Sequence, residues 1–279
     1  MIKLTYFIIK ILNKLVLKHH IAEKEAISLY KYLYNISIEG LSYKNIGNTN
    51  TSGEKQVAQL LNNFYKKTTN PITIFDVGAN IGQYQRMLVE NLTVANNIYS
   101  FEPANDSFSI LNREKKNNVK NFQFGFGNEL QKVTLYKDKN KSQLASIYKK
   151  TENDYYQLKP MDIEETIHLR TIDDFCEEEK ISKIDFVKLD IEGHEFFALK
   201  GAERMLNQNK INFIQFEFGP ANIDSRTFLR DFYNLLSSQF YLYRLTKSTI
   251  IPLRSYNETD KIFLPSNYIA ISKIINISL

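Results

Sequence analysis

The stretch IFDVGANIGQY, residues 74–84, joins an apolar run with the character of a buried β-strand to a run with the character of a helix. Gly78 and Gly82 stand in the turn between them. Glycine has no Cβ, so these positions let the backbone turn sharply and come close to a ligand. A glycine-containing turn between a strand and a helix is typical of nucleotide-binding α/β sheets. The stretch therefore predicts a nucleotide site at the end of its strand.

The rest of the chain supplies a sheet for this strand. Seven runs have strand character and alternate with helices: ITIFDV, NIYSFEP, KNFQFGFG, KIDFVKLD, INFIQFEF, FYLYRLT and NYIAISK. Such alternation is typical of an α/β fold with helices on both faces of a parallel sheet. We therefore predict a Rossmann-like, doubly wound, mostly parallel seven-stranded sheet.

Domain boundaries follow from where this alternation begins and where it is interrupted. Residues 1–68 are predicted to form an N-terminal helical extension, and residues 69–279 the α/β domain. Residues 128–170 break the rhythm with KVTLYKD, ASIYKK and TIHLRT, which predict a β-rich insertion. Within the domain, NDSFSILNREKKN predicts a helix capped by Asn105 or Asp106, and GHEFFALKGAERMLN predicts one continuous helix.

Acidic residues stand at or beside the ends of four predicted strands. They are Asp76, Glu102, Asp190 and Glu217. In parallel α/β sheets, ligands bind in the crevice beyond the carboxyl ends of the strands. The functional side chains are therefore expected at these strand ends.

The residues around the glycine turn indicate which nucleotide is bound. Glu102 follows the next strand, where a carboxylate accepts hydrogen bonds from a ribose diol. A dinucleotide-binding loop has three glycines around the pyrophosphate, but Asn80 and Tyr84 are not glycine. Asp76 also places a negative charge directly before the turn, which suits sulfonium and ammonium groups better than a diphosphate. These features favour S-adenosylmethionine over NAD.

Three motifs, in this order, resemble those of a known family. FDVGANIGQY, YSFEP and IDFVKLDIEGHEFFALKGA resemble regions of the FkbM-type methyltransferases, which belong to the class I S-adenosylmethionine-dependent methyltransferases. The resemblance covers about residues 72–273, although FQFGFGNELQ departs from the small aliphatic residues more usual there. It implies S-adenosylmethionine as cofactor and a hydroxyl of a sugar or polyketide as acceptor. It also implies cofactor-binding roles for Asp76, Gly78, Asn80, Gly82 and Glu102, with Asn128 near the adenine.

The stretch KLDIEGHE, residues 188–195, predicts the site of the chemistry. It places Asp190 at the end of its strand and Glu192 and His194 in the following turn. Methyl transfer requires the acceptor to be aligned with the methyl carbon, and an alcohol acceptor also loses a proton. Asp190 is the first choice for this role and His194 the second. One alternative is a Mg²⁺ site formed by Asp190 and Glu217 with Glu192, and another is a purely structural turn.

Charge and motifs narrow the class of acceptor. The net charge of +5 and the short basic clusters indicate solvated loops, so a nucleic-acid substrate is not expected. Asp190 begins an Asp-Ile-Glu-Gly run, whereas enzymes that methylate exocyclic amines of bases typically carry Asn/Asp-Pro-Pro-aromatic there. The single cysteine, Cys176, lies in a helix-like run in which a packed structural thiol is expected.

We therefore predict an O-methyltransferase that acts on a hydroxyl of a saccharide or related metabolite. In the insertion, Tyr148, Tyr155 and Tyr156 are candidates for stacking on sugar faces. The alternatives are an NAD-binding oxidoreductase, which requires a third glycine, a nucleic-acid methyltransferase, and a binding module without activity.

Residues 1–18 predict a basic amphipathic helix. Leu4, Ile8, Ile11, Leu12 and Leu15 share one face, and Lys3, Lys10, Lys14 and Lys18 line its edge. The lysines make the run a poor membrane span, and no small-residue cleavage site follows it. The helix is expected to rest on an anionic membrane surface, on a partner subunit or on its own domain. We expect a cytoplasmic protein, with peripheral membrane contact as one of these alternatives.

Overall fold

The chain divides into two units, Met1–Lys44 and Asn45–Leu279. A computed structural model describes residues 2–15, 17–21, 23–43, 52–113, 116–138, 145–150, 161–257 and 262–277. The smaller unit contains helix α1 (Ile2–Leu15), a 3₁₀-helix (Leu17–His20) and helix α2 (Lys24–Gly40). None of the described helices combines the length and the hydropathy that a membrane-spanning helix needs.

The larger unit is built on one large sheet. Its strands are β1 (Ile72–Val77), β2 (Asn96–Phe101), β3 (Val119–Phe122), β7 (Ile184–Leu189), β8 (Ile211–Phe218), β9 (Phe240–Leu245), β10 (Ile250–Pro252) and β11 (Ser266–Ser272). Their spatial order in the described residues is β10-β9-β11-β8-β7-β1-β2-β3. Strands β3, β2, β1, β7 and β8 are parallel neighbours, whereas β11 is antiparallel to both β8 and β9. The predicted mostly parallel α/β fold is confirmed.

The sheet has eight strands in the described residues, so the predicted number of seven is wrong. The additional strand is β10, which pairs antiparallel with the edge of β9. It is only three residues long and its side chains are partly or fully exposed. Such a strand carries no buried apolar run, which is why the pattern of hydrophobicity did not indicate it.

A second, three-stranded sheet lies in and beside the predicted insertion. Its strands are β4 (Gly125–Phe126), β5 (Gln131–Lys137) and β6 (Ile163–Arg170), in the order β4-β6-β5. The run KNFQFGFG, predicted as one strand, is therefore divided between β3 in the large sheet and β4 in the small one. In the run ASIYKK, Ser146 forms an isolated bridge to Tyr136.

Helices cover both faces of the large sheet. They are α3 (Glu54–Tyr65), α4 (Gln83–Asn91), α5 (Asn105–Leu111), α6 (Ile172–Glu178), α7 (Glu195–Lys200), α8 (Glu203–Asn207), α9 (Ala221–Asp224) and α10 (Leu229–Leu236). Alternate residues of β1 enter opposite apolar layers, since Ile74 packs with α3 and α4 whereas Phe75 packs with α6 and α7. Helix α3, which the sequence interpretation assigned to the extension 1–68, thus packs in the core of the larger unit through Val57 and Leu61.

Two helix predictions differ from the structure for local reasons. The residue preceding α5 is Ala104 and provides no side-chain cap, so the predicted cap by Asn105 or Asp106 is wrong. The predicted single helix 193–207 is interrupted at Gly201 between α7 and α8. A Cβ at Gly201 would lie 2.1 Å from the carbonyl oxygen of Gly127, so this approach of two backbones requires glycine.

Candidate cofactor and acceptor site

The loop after β1 is held between the ends of its two neighbouring strands. The backbone N–H groups of Gly78 and Ala79 donate to the carbonyl oxygen of Phe101, at 2.9 and 3.0 Å. On the other side, the N–H of Asp190 donates to the carbonyl oxygen of Val77. Gly78 has φ +80°, and a Cβ there would lie 1.9 Å from the carbonyl oxygen of Asp190. The loop can therefore reach the β7 turn only because this residue is glycine.

Glu102 fixes the same loop from the end of β2. One carboxylate oxygen accepts the N–H of Asn80 and the other accepts the N–H of Ala104, both at 2.8 Å. Burial raises the pKa of Glu102 to about 7, although the two backbone N–H groups lower it. A carboxylate has about four lone-pair sites. Glu102 therefore retains acceptor capacity for a ligand while it orders the loop.

A row of polar residues crosses the sheet beneath α4. The strand register places Ser100 beside Asp76 and Asp76 beside Lys188. Gln85 of α4 donates to the hydroxyl of Ser100 at 2.8 Å, and Tyr84 donates to Gln215, the next member of the row, at 3.0 Å. Helix α4 thus supplies hydrogen-bond partners for two residues of this row. These partners matter because a buried polar group without one is costly.

Lys188 is a buried cation among the carboxylates at this end of the sheet. Its Nζ lies 3.1 Å from Asp190 Oδ2, 3.9 Å from Asp76 Oδ1 and 4.6 Å from the centre of the Tyr84 ring. Burial lowers the pKa of Lys188, but the carboxylates of Asp190, Asp76 and Glu54 outweigh burial and raise it. The ammonium group is therefore charged at neutral pH.

Asp76 is fully buried beneath the loop. Neither of its carboxylate oxygens has a hydrogen-bond partner among the described residues. Burial raises the pKa of Asp76 to about 6, while Lys188 lowers it. A buried carboxylate with unused acceptors is typical of a site that receives a ligand.

The turn after β7 is shaped by backbone geometry and by Glu195. Glu192 has φ +55° and Gly193 has φ +102°. A Cβ at Gly193 would lie 2.5 Å from the carbonyl oxygen of Ala221. One oxygen of Glu195 accepts the N–H groups of Ile191 and Gly193, at 2.8 and 3.2 Å. Glu195 therefore holds the turn that directs Asp190.

The insertion packs on this turn. The hydroxyl of Ser146 donates to the carbonyl oxygen of Glu192 at 2.8 Å, and Lys150 Nζ donates to its carboxylate at 2.6 Å. Tyr148 Oη lies 2.9 Å from His194 Nδ1. His194 Nε2 is buried without a hydrogen-bond partner among the described residues, and burial lowers the pKa of His194 to about 4. The imidazole is therefore neutral at physiological pH.

These elements enclose one cavity with two chemically different ends. The first end is acidic and amidic, and it is lined by Glu54, Lys188, Asp190, Glu217 and Asn267. The second end is apolar, and it is lined by Pro103, Phe126, Leu135, Ile147, Ile167 and Leu169. Gly78, Asn80 and Glu102 also line the cavity. This lining suits a ligand that combines an apolar group with charged groups.

The predicted site residues are largely brought together. Seven of them line the cavity: Gly78, Asn80, Glu102, Asp190, Glu192, His194 and Glu217. Asp76 and Gly82 lie beside it, at the base of the loop and at the start of α4. Asn128 is exposed and is not a lining residue. Tyr148 contacts His194, whereas Tyr155 and Tyr156 lie outside the described residues.

Comparison with known proteins identifies the family. Residues 76–245, from Asp76 in β1 to the end of β9, match the Methyltransferase FkbM domain. The chain belongs to the FkbM methyltransferase family. It is therefore an S-adenosylmethionine-dependent methyltransferase, and the predicted resemblance is confirmed. The NAD-binding oxidoreductase alternative is thereby set aside.

Several solved methyltransferase structures are similar to this FkbM methyltransferase, and two of them illustrate the similarity. Methyltransferase FkbM from Methylobacillus flagellatus KT is 18% identical, with a TM-score of 0.45. The similarity covers 71% of this chain and 43% of that chain, so the match spans less than half of that protein. The O-methyltransferase from Bacillus cereus in complex with SAH is 12% identical, with a TM-score of 0.43 and coverage of 95% and 96%. No protein with a curated description matches the chain.

At the acidic end of the cavity of the FkbM methyltransferase, the sequence interpretation missed three lining residues. Glu54 begins α3, which was assigned to the N-terminal extension. Asn267 belongs to β11, a strand that was predicted without a functional residue. Lys188 precedes Asp190 by two residues in KLDIEGHE, and the sequence interpretation gave a role only to the acidic residues and the histidine of that stretch. A lysine at the end of a buried strand is itself a signal, because Lys is rarely buried unless it is paired.

Proposed function

We propose that this FkbM methyltransferase transfers a methyl group from S-adenosylmethionine to a hydroxyl group of a saccharide. The observation that carries the proposal is the position of Asp190. Its carboxylate lies at the end of β7 in the same cavity as the glycine loop and Glu102. A carboxylate at that position suits a hydroxyl acceptor, which must be aligned and must lose a proton.

The residues of the loop fit the cofactor. The backbone at Gly78 leaves open the space that a Cβ would fill, and Glu102 has acceptor capacity for ribose hydroxyls. The apolar end around Phe126 suits the adenine, and the acidic end suits the sulfonium and ammonium groups. We assign Gly78, Asn80 and Glu102, which line the cavity, to direct contact with the cofactor, and Asp76 and Gly82, which lie beside it, to support of the same loop. Asn128 is left out of this assignment because it is exposed and does not line the cavity.

Asp190 is the proposed catalytic residue. When bound, S-adenosylmethionine supplies an electrophilic methyl carbon. Asp190 orients the acceptor hydroxyl by accepting its hydrogen bond, and it receives the proton as the O–C bond forms. Lys188, 3.1 Å from Asp190 Oδ2, keeps this carboxylate in place. Glu192 and His194 are proposed as positioning residues, because their side chains are bound by Lys150 and Tyr148 of the insertion.

A saccharide fits the acidic end better than a compound with one hydroxyl. Glu54, Glu217 and Asn267 line this end together with Asp190, and each offers oxygen acceptors for several neighbouring hydroxyls. The cation at this end, Lys188, is already paired with carboxylates. An acceptor with a phosphate or carboxylate beside the reacting hydroxyl would therefore find no unpaired cation among the described residues that line this end. We therefore propose a neutral polyhydroxylated acceptor.

The acceptor class is tested with S-adenosylmethionine labelled in its methyl group. The enzyme is incubated with neutral glycosides, matched uronic acids, amines and nucleic acid, and the labelled products are identified by mass spectrometry. We expect alkali-stable methyl ethers from neutral glycosides and little or no product from the uronic acids. Label on nitrogen or on nucleic acid would overturn the proposal.

Cofactor affinity is expected to depend on pH through Glu102. The pKa of this group is about 7, so the carboxylate is progressively protonated as the pH falls below that value. Hydrogen bonds to a charged group contribute about 1.5–3 kcal/mol, so protonation should weaken binding of S-adenosylhomocysteine by about tenfold or more. Calorimetric titration across this range checks the prediction. The Glu102→Gln variant should bind weakly at every pH; a wild-type-like pH profile in this variant would exclude Glu102 as the titrating group.

Methyl transfer is expected to be insensitive to chelators. The predicted Mg²⁺ alternative used Asp190 and Glu217, and no group of three or more His, Cys, Asp or Glu residues arranged to hold a metal occurs in the described part of the chain. Lys188 already supplies positive charge beside Asp190. The rate with excess EDTA should equal the rate without it. A loss of rate that added Mg²⁺ restores would support the metal alternative instead.

A further inference from the structure

The smaller unit, Met1–Lys44, carries most of the large apolar side chains that are exposed in the described residues. In α1 every described large apolar residue is exposed, and Leu4, Phe7 and Leu15 are 64%, 58% and 66% accessible. Soluble proteins rarely expose contiguous apolar surface without an interaction that covers it. Methyl transfer in the larger unit does not account for this surface.

The charged residues of α1 are all lysines, and they lie on one side of the helix. Lys3, Lys10 and Lys14 are seven and four residues apart, so they lie on one side of the helix. Leu4, Ile8, Ile11 and Leu15 lie on the neighbouring face, and all four are exposed. The sequence of α1, IKLTYFIIKILNKL, contains no acidic residue. The helix therefore combines an apolar face with a basic edge.

We propose that α1 binds the surface of a bilayer that contains anionic lipids, with the helix axis in the plane of the interface. In this orientation the apolar side chains enter the boundary between headgroups and acyl chains, and the lysine stems extend to the phosphates. The lysines and the anionic headgroups have complementary charge. The interaction would hold the methyltransferase near acceptors that are attached to lipid or displayed at a membrane.

A second copy of the chain is a less suitable partner for this helix. In a symmetric contact the same surface patch lies on both sides. The lysines of two α1 helices would therefore lie close together along the same interface. No carboxylate of α1 is present to pair with them. Like charges disfavour that arrangement, whereas an anionic surface favours the same charges. The charge pattern therefore selects lipid over self-association.

The proposal is tested by flotation of the 279-residue chain with large unilamellar vesicles. One set contains phosphatidylcholine alone and the other contains phosphatidylcholine with phosphatidylglycerol. We expect binding to the anionic vesicles that weakens at high salt, because the charge contribution is screened. Each lysine near an anionic surface changes the affinity by about fivefold, so replacing three should reduce it on the order of a hundredfold.

Two variants with the same change of net charge distinguish the contribution of the α1 lysines from that of the overall charge of the protein. Lys3→Gln, Lys10→Gln and Lys14→Gln are combined in one, and three exposed lysines of the larger unit, Lys132, Lys200 and Lys210, are replaced by glutamine in the other. Only the first should lose vesicle binding, and both should keep methyltransferase activity.

A variant with fewer apolar side chains tests whether α1 enters the bilayer. Ile8→Gln with Ile11→Gln should abolish vesicle binding while the lysines remain. Sedimentation velocity is measured in parallel for each protein. Equal binding to both vesicle sets, equal loss in the two lysine variants, or a dimer that the Ile8→Gln and Ile11→Gln changes dissociate without any vesicle binding would each overturn the proposal.

Discussion

The Asp190→Asn variant is expected to bind S-adenosylhomocysteine with nearly unchanged affinity and to transfer methyl groups about 10²- to 10³-fold more slowly, as for loss of a general base. The substitution keeps the size of the side chain and its ability to hydrogen-bond, but it removes the negative charge that receives the proton. The backbone carbonyl of Asp190, which packs on Gly78, is unaffected. The loss should therefore appear in kcat, measured with the labelled cofactor at saturating acceptor.

Two control variants show whether this loss is specific to Asp190. Asp162→Asn changes an exposed carboxylate of the insertion and should leave the rate unchanged. Glu217→Gln changes a second carboxylate of the acidic end, and we expect it to raise KM for the acceptor more than it lowers kcat. If Asp190→Asn instead weakened cofactor binding and left kcat intact, Asp190 would be a cofactor ligand and not the base.

The fold was predictable because its central strands are buried on both faces. Near-continuous apolar runs marked β1, β7 and β8, and the burial of these strands in the structure agrees with that pattern. Elements that depend on contacts distant in sequence were less predictable. The break at Gly201 arises from the approach of the Gly127 backbone, and helix propensity contains no information about that approach. Strand β10 depends on the free edge of β9.

The lining of the candidate site was predictable at the strand ends and in the turns that directly follow them, and less predictable elsewhere. Asp190 and Glu102 follow buried strands, so their convergence is dictated by the parallel sheet. Glu54 comes from a helix that precedes the whole sheet, and only tertiary packing brings it to the cavity. The pairing of Tyr148 with His194 likewise depends on how the insertion folds over the β7 turn. Local sequence patterns do not specify such contacts.

The glycine loop and the acidic turn act as one structural unit. Gly78 contacts the backbone of Asp190, and Asp190 is paired with Lys188, which lies opposite Asp76 at the base of the same loop. A change that displaces one element therefore displaces the other. This arrangement couples the position proposed for the methyl donor to the position proposed for the acceptor, which suits an in-line displacement.

The Gly78→Ala variant is accordingly expected to lose detectable binding of S-adenosylhomocysteine and about 2–4 kcal/mol of the free energy of unfolding. An alanine Cβ would lie 1.9 Å from the carbonyl oxygen of Asp190, a backbone atom that cannot move without displacing the turn. The residue would also be held at φ +80°, which L-residues rarely adopt. Calorimetric titration and urea denaturation measure the two effects.

Two further glycines provide matched controls for that result. Gly82 has φ +82°, but the three atoms nearest to its added Cβ all belong to side chains, the closest being a terminal methyl of Leu111 at 2.9 Å, and none is a backbone atom. Gly82→Ala should therefore cost only about 1–2 kcal/mol, the penalty of the left-handed conformation, and should retain weakened binding. Gly40 in α2 has no atom within 4 Å of the added Cβ, so Gly40→Ala should leave binding unchanged. The affinity for S-adenosylhomocysteine is expected to be highest in Gly40→Ala, lower in Gly82→Ala and lowest in Gly78→Ala. If Gly78→Ala bound as tightly as Gly82→Ala, the approach of the two backbones would not be what forms the site.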